Sequence, residues 1–217
     1  RREVNVVTLE DPVEVIINGV NQMMVNSKEG ISFADGLRSV MRQDPDVIMV
    51  GEIRDEETAA MAVRAALTGH KVYTTIHSTE PREVYLRLEE MGIKSYLIRE
   101  SLVGIISQRL IKMLCDSCKE EEIITYKDNK VKIYKKGDGC EKCNFTGYLG
   151  RALIISVNEI NKDLKKKLVK LYDNNTILTN IQMVDNLNNL LLTGKISRLD
   201  YMEFIDREEL DFDYEGS

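Results

Sequence analysis

The chain is poor in the residues that mark disordered or fibrous proteins. It has 3 Pro and 13 Gly in 217 residues, which excludes collagen-like repeats and low-complexity disorder. No apolar run approaches the roughly 20 residues of a membrane-spanning helix, and the longest candidates, such as Ala152 to Val157, are strand-sized. No signal-peptide pattern opens the sequence, because Arg1-Arg2-Glu3 leads into a short β-type run without a small-residue cleavage site. A cytosolic protein is the resulting expectation. No internal repeat is present, nor an initiator Met.

What is present is an ordinary globular composition, 43% hydrophobic, enough to build a core in a chain of this length. The net charge of −6 is local. Residues 200–217 hold eight acids against Arg207 alone and read as a solvated acidic tail, leaving a nearly neutral body. That neutrality argues against a nucleic-acid partner.

Three β-type runs alternate with helical patterns over residues 1–113. The runs are Val4–Leu9, Val47–Val50 and Val72–Ile76. Ser32 and Asp55 are placed to cap the first two helices, and Pro81 suits the first turn of a third. A fourth helix is predicted over 94–113 from the spacing of Leu97, Leu102, Ile105, Ile106 and Leu110. Strands separated by helices predict an α/β fold with a parallel sheet, although three strands are few for a sheet of that kind. Four segments are expected: 1–113 in that fold, a cysteine-bearing module at 114–150, a strand and helical region at 151–199, and the tail at 200–217.

The four cysteines form two pairs, Cys115-x-x-Cys118 and Cys140-x-x-Cys143, 21 residues apart. Two-residue gaps let paired thiolates reach one tetrahedral ion, and four sulfurs without histidine suit a closed, structural Zn²⁺. Gly139 and Gly147 flank the second pair and supply turn freedom. Two disulfides or free thiols are the alternatives. A nucleic-acid-reading zinc ribbon fits poorly, since Glu120-Glu121-Glu122 would repel phosphate.

Acids end two of the apolar runs. Glu52 follows Val47–Val50 and Gly51, while Glu10 and Asp11 follow the first run. An acid at the carboxyl end of a parallel strand lies at the edge where ligands of α/β folds bind. In a nucleotide triphosphatase, Glu52 at that edge would orient or deprotonate the attacking water, acting through Mg²⁺ or its water shell. Helix capping by Glu52 or Asp55 is the plainer account. The only histidines, His70 and His77, bracket the third run, and His77 at its carboxyl end could donate to a γ-phosphate.

Taken together, these segments resemble the ATPases of type II secretion and type IV pilus assembly. Thr8–Glu14 matches the family's aspartate box, Asp44–Asp55 its Walker B segment and Leu67–Ser78 its histidine box. Gln108-Arg109-Leu110, the four cysteines and Thr146-Gly147-Tyr148 with Gly150-Arg151 match its tetracysteine zinc module. The resemblance spans about residues 3–155. It implies a partial RecA-like P-loop NTPase sheet with ATP and Mg²⁺ as ligands. It makes Glu52 the catalytic glutamate, gives Glu10 and Asp11 the magnesium and water environment, and puts His77 at the γ-phosphate. Arg54 would set the site and its subunit contacts. It implies a homo-hexameric motor on the inner face of the bacterial cytoplasmic membrane, pushing on a platform protein.

The sequence departs from the family in lacking G-x-x-x-x-G-K-[ST], the loop that cradles phosphates. The resemblance therefore implies the carboxyl-terminal part of such a motor, inactive alone. The alternative is a non-catalytic, zinc-stabilised interaction module that docks on a membrane-associated partner.

Overall fold

The computed structural model describes residues 4–26, 31–78, 80–126, 129–162, 165 and 181–208. The chain forms two compact units. One comprises Arg1–Ser78, Arg82–Val103 and Ile160–Thr176, the other Thr79–Pro81, Gly104–Glu159 and Ile177–Ser217.

In the first unit, strands β1 (Val6–Glu10), β2 (Asn21–Met24), β3 (Val47–Val50) and β4 (Lys71–Thr74) form one sheet in the order β2-β1-β3-β4. Every neighbouring pair is parallel, with Leu9 opposite Val50 and Val50 opposite Thr74. The expected parallel α/β arrangement is thus present, with one strand more than the sequence suggested. Strand β2 was missed because Asn21-Gln22-Met23-Met24 is a half-exposed edge strand with no β-branched residue.

The helices start where the caps predicted. The Ser32 side chain accepts from Asp35 N at the head of α1 (Phe33–Val40), and Asp55 accepts from Thr58 N, at 2.7 Å, at the head of α2 (Glu56–Leu67). Helix α1 turns Phe33, Leu37 and Val40 into the core and packs on β1 and α2. Helix α2 packs on β4 and on α4 (Ser95–Ser101), which follows α3 (Pro81–Glu90). Leu9, Leu37, Ile48, Val50 and Ile98 are fully buried in this core.

The helix expected over 94–113 ends at Ser101, and Gly104–Leu114 is strand β5. Leu102 is already extended, and the burial of β5 repeats roughly every second residue, with Ile105 and Ile111 inward and Ile106 and Leu110 outward. The apolar spacing fitted both periods. The β-branched, glycine-containing start Val103-Gly104-Ile105-Ile106 and a long partner strand decide for β. That partner is β8 (Tyr148–Glu159), antiparallel to β5, with Ile106 opposite Val157 and Leu110 opposite Leu153.

The second unit also contains the hairpin β6 (Glu120–Tyr126) and β7 (Asn129–Lys135), and helices α5 (Ile181–Leu192) and α6 (Arg198–Arg207). Its core joins Ile111 and Ile154 to Met183, Leu187, Ile196, Tyr201 and Phe204. The 200–217 stretch, expected to be solvated, therefore begins inside a packed helix. Ser197 caps it in a reciprocal capping box with Asp200, and Tyr201, Phe204 and Ile205 are buried. The acids Asp200, Glu203 and Asp206 fall between the inward positions, so the composition hid an amphipathic helix. Phe204→Ala should destabilise this unit by about 3–5 kcal/mol, read by chemical denaturation. A change below about 0.5 kcal/mol would fit a solvated tail instead. The Leu164, Leu168 and Leu171 positions lie outside the described residues.

Among the described residues, no helix is long and apolar enough to cross a membrane.

Candidate functional site

Because β1, β3 and β4 run parallel and in register, their carboxyl ends finish at one edge of the sheet. Glu10 ends β1, Gly51-Glu52 follows β3, and Thr75-Ile76-His77 follows β4. The three tips meet at Gly51. Its N–H donates to Leu9 O at 2.7 Å, and its carbonyl accepts from Thr75 Oγ1 at 2.6 Å. A Cβ at Gly51 would lie 3.1 Å from Leu9 O and 3.6 Å from Glu10 Cα, so a side chain there would press on the adjoining strand. The next backbone link, Ile53 N to Thr75 O at 3.0 Å, holds the segment carrying Glu52 beside that carrying His77.

Glu52 lies between two candidate cations. Its Oε1 is 2.5 Å from Arg54 Nη2 and its Oε2 is 3.6 Å from His77 Nε2. Its side chain is 14% exposed, whereas Arg54 and His77 are 64% and 84% exposed. A largely sheltered carboxylate with exposed partners can keep its position while a ligand takes the partners' place. Three of the five residues expected here are therefore brought together, with Arg54 and His77 each beside Glu52.

Glu10 lies on the neighbouring tip but is held from the other side. Thr8 Oγ1 donates to Glu10 Oε1 at 2.5 Å, and Gln22 Nε2 donates to the same oxygen at 2.9 Å. Asp11 follows on the exposed turn, ahead of a cis peptide bond to Pro12. The sequence reading did not single out Thr8 or Gln22 as Glu10's partners. Thr8 sits two residues before Glu10 on the same face of its strand, which alternation makes visible. Gln22 belongs to the unrecognised β2.

His70 separates from His77. It lies at the amino-terminal end of β4, where its Nδ1 is 3.0 Å from Ala65 O and 3.2 Å from Thr68 Oγ1, at the end of α2. It closes a helix and is not part of the strand-tip cluster.

In the second unit all four cysteine Sγ atoms lie within 4.8 Å of one another, and none is in a disulfide. Cys115–Cys140 and Cys118–Cys143 are both 3.8 Å apart, and Cys140–Cys143 is 3.9 Å. A tetrahedral ion with bonds of about 2.3 Å to sulfur requires edges of about 3.8 Å. The donor set and its spacing therefore fit Zn²⁺. Gly139 (φ +102°) and Gly147 (φ +76°) adopt the left-handed backbone that the turns around Cys140–Cys143 require. The Cys140 N–H points at Cys143 Sγ from 3.2 Å, and the Gly147 N–H from 3.3 Å.

These backbone donors, Cys140 first, bring the Cys143 thiol down to about 6 against the opposing effect of burial. Burial, reinforced by hydrogen bonds that the Cys118 S–H donates to the other cysteine sulfurs, pushes Cys118 up to about 12. A metal ion at this cluster would find Cys143 the readier thiolate, whereas Cys118 would have to surrender its proton to join it. The acids expected to repel phosphate are engaged across the hairpin, Glu120 with Lys135 at 3.1 Å and Glu121 with Lys132.

Residues 1–198 match the family model described as type II/IV secretion system protein. The chain is 46% identical over 156 residues to type II secretion system protein E of Dickeya dadantii, covering 69% of this chain and 31% of that protein. It is 46% identical over 157 residues to type II secretion system ATPase E of Vibrio cholerae, with the same coverage. It is 42% identical over 176 residues to type IV pilus assembly ATPase PilB of Thermus thermophilus, covering 76% of this chain and 20% of that protein. The chain thus spans about a third or less of the length of these curated relatives. Among solved structures, the pilus retraction motor PilT with bound ADP superposes with a TM-score of 0.62 at 29% identity, covering 92% of this chain and 52% of that one. Legionella pneumophila DotB, at 23% identity and a TM-score of 0.62, shares the fold, covering 94% and 52%.

Proposed function

The chain belongs to the type II/IV secretion system protein family, and on that premise we propose that it is the catalytic-edge portion of an ATP-driven motor for type II secretion or type IV pilus assembly. The observation that carries this reading is the meeting of three strand tips, with Glu52 sheltered between Arg54 and His77. In this role Glu52 holds and deprotonates the attacking water. Glu10 and Asp11 would hold a Mg²⁺ through its water shell, and that ion would supply charge neutralisation on the phosphates. His77 donates to the γ-phosphate, and Arg54, paired with Glu52, helps set the site and its subunit contacts. The carboxylates at this edge are the hard oxygen donors that Mg²⁺ and its water shell require.

The division into an ATPase part at 1–113, a zinc module at 114–150, a strand and helical region at 151–199 and a terminal stretch at 200–217 belongs to the same proposal. In it Cys115, Cys118, Cys140 and Cys143 hold a structural Zn²⁺. The working form is a homo-hexamer, docked on an inner-membrane platform protein at the cytoplasmic face of the bacterial membrane, and it uses no nucleic acid.

The phosphate-cradling loop has no counterpart in these 217 residues, so the proposal assigns that loop to sequence outside them. The test is ATP hydrolysis by the product of the complete reading frame against that of the 217-residue chain. Turnover by the first and none by the second is expected. Comparable turnover by the chain alone would show that the phosphate grip lies within it. No turnover by either would favour a non-catalytic, zinc-stabilised docking module.

A further inference from the structure

The Glu10 carboxylate and the loop beyond it share one side chain. Gln22 stands on β2 opposite Thr8 in the parallel register, one pleat away from Glu10. Its Nε2 donates to Glu10 Oε1 at 2.9 Å and to the Val15 carbonyl at 3.0 Å, while its Oε1 accepts from the Ile17 N–H at 2.7 Å. Two acceptors and one donor around a single carboxamide admit only this orientation of the amide.

Among the described residues, the loop at 15–17 is held by this fork and by one backbone bond, Val20 N–H to the Ile17 carbonyl at 3.2 Å. Val15, Ile16 and Ile17 are 68%, 86% and 53% exposed, so their burial contributes little, and the Gln22 fork is the side-chain tie from this loop to Glu10. On the other side, Thr8 and Gln22 both donate to Oε1 of Glu10, and Oε2 takes neither donor. The carboxylate is therefore fixed in rotation, with its two oxygens made unequal.

We propose that Gln22 is a positioning residue of the strand-tip site: one carboxamide sets the orientation of the Glu10 carboxylate and ties to it the backbone of residues 15–17, so that loop and carboxylate move together. Its bearing on catalysis rests on the ATPase reading above, while the coupling itself does not. A contact that displaced the exposed loop would withdraw the donor from Glu10, and a ligand that turned Glu10 would loosen the loop.

The coupling is tested on the 217-residue chain by amide hydrogen exchange at Ile17. Gln22→Ala should speed that exchange by at least about tenfold, and Glu10→Ala, which leaves Gln22 in place, should speed it measurably too. Exchange unchanged in Glu10→Ala overturns the coupling even if Gln22→Ala perturbs the fold. The positioning role is tested in the product of the complete reading frame. Gln22→Ala should lower kcat about tenfold, with the KM for ATP within about twofold. Gln22→Glu keeps the size but loses the donor and should fall at least as far, with the melting temperature retained. If Glu52→Gln abolishes turnover while both Gln22 variants match the wild type, the positioning role fails and the ATPase reading stands. If Glu52→Gln leaves turnover intact, the assignment of the chemistry to this strand-tip site fails, and the exchange experiment alone decides the coupling.

Discussion

Glu52→Gln, in the product of the complete reading frame, is expected to lower ATP turnover about a thousandfold while nucleotide affinity stays within about twofold. The substitution keeps the shape of the side chain and an oxygen that can still accept from Arg54, which now lies 2.5 Å away. What it removes is the capacity to take a proton from water. A thousandfold loss corresponds to about 4 kcal/mol of transition-state stabilisation, within the ordinary range for a general base. Because Glu52 is mostly sheltered and its carboxylate is not needed for core packing, the melting temperature should hardly move. Steady-state hydrolysis with a parallel nucleotide-binding measurement reads both quantities. Turnover within tenfold of the wild type would remove Glu52 from the chemistry and leave it as a partner for Arg54.

Cys140→Ser is expected to abolish stoichiometric zinc and to lower the melting temperature of the zinc-bearing unit by about 10 °C or more. Zinc in small four-ligand sites contributes roughly 10–16 kcal/mol of apparent binding free energy, and here it would join the two cysteine pairs at the base of the β6–β7 hairpin. Chelation of the wild-type chain should produce the same drop, and chelator plus mutation should produce no more than either alone. Metal content and thermal unfolding together make the check. A wild-type chain that is metal-free as purified and melts unchanged after chelation would end the zinc reading.

The sign of the accompanying pH effect follows from Cys143. Its folded value, about 6, lies below the ordinary 9.0. In the metal-free unit its contribution is complete above about pH 9 and is lost as pH falls toward 6. Cys118 works the other way. Raised to about 12, it favours the fold below pH 9 and loses that contribution as pH rises toward 12.

Much of this architecture was readable before any coordinates. The caps at Ser32 and Asp55 were legible because a short polar side chain just ahead of a helical pattern has one obvious use. The strand-tip acids were legible because apolar runs ending in Glu locate a sheet edge, and paired CxxC spacing encodes the sulfur cluster in local sequence. What stayed hidden depended on partners distant in the chain. Strand β2 has no β signature of its own and exists because β1 offers it a free edge. Residues 104–114 satisfy two periodicities, and only pairing with β8 chooses between them. The Gln22 fork depends on β2 and so could not be seen without it. The buried face of α6 was masked by the acids around it.

The parallel register that gathers Glu10, Glu52 and His77 also limits how they can be rearranged. Sliding one strand by a single residue would turn every side chain to the opposite face, and the smallest harmless slip is two residues, about 6.6 Å. Distances among the three tips are therefore quantised by the ladder. Fine adjustment of the tips has to come from the short segments beyond the last rung, Asp11 onward, Arg54 to Asp55 and Ile76 to Ser78, while the sheet serves as a fixed ruler.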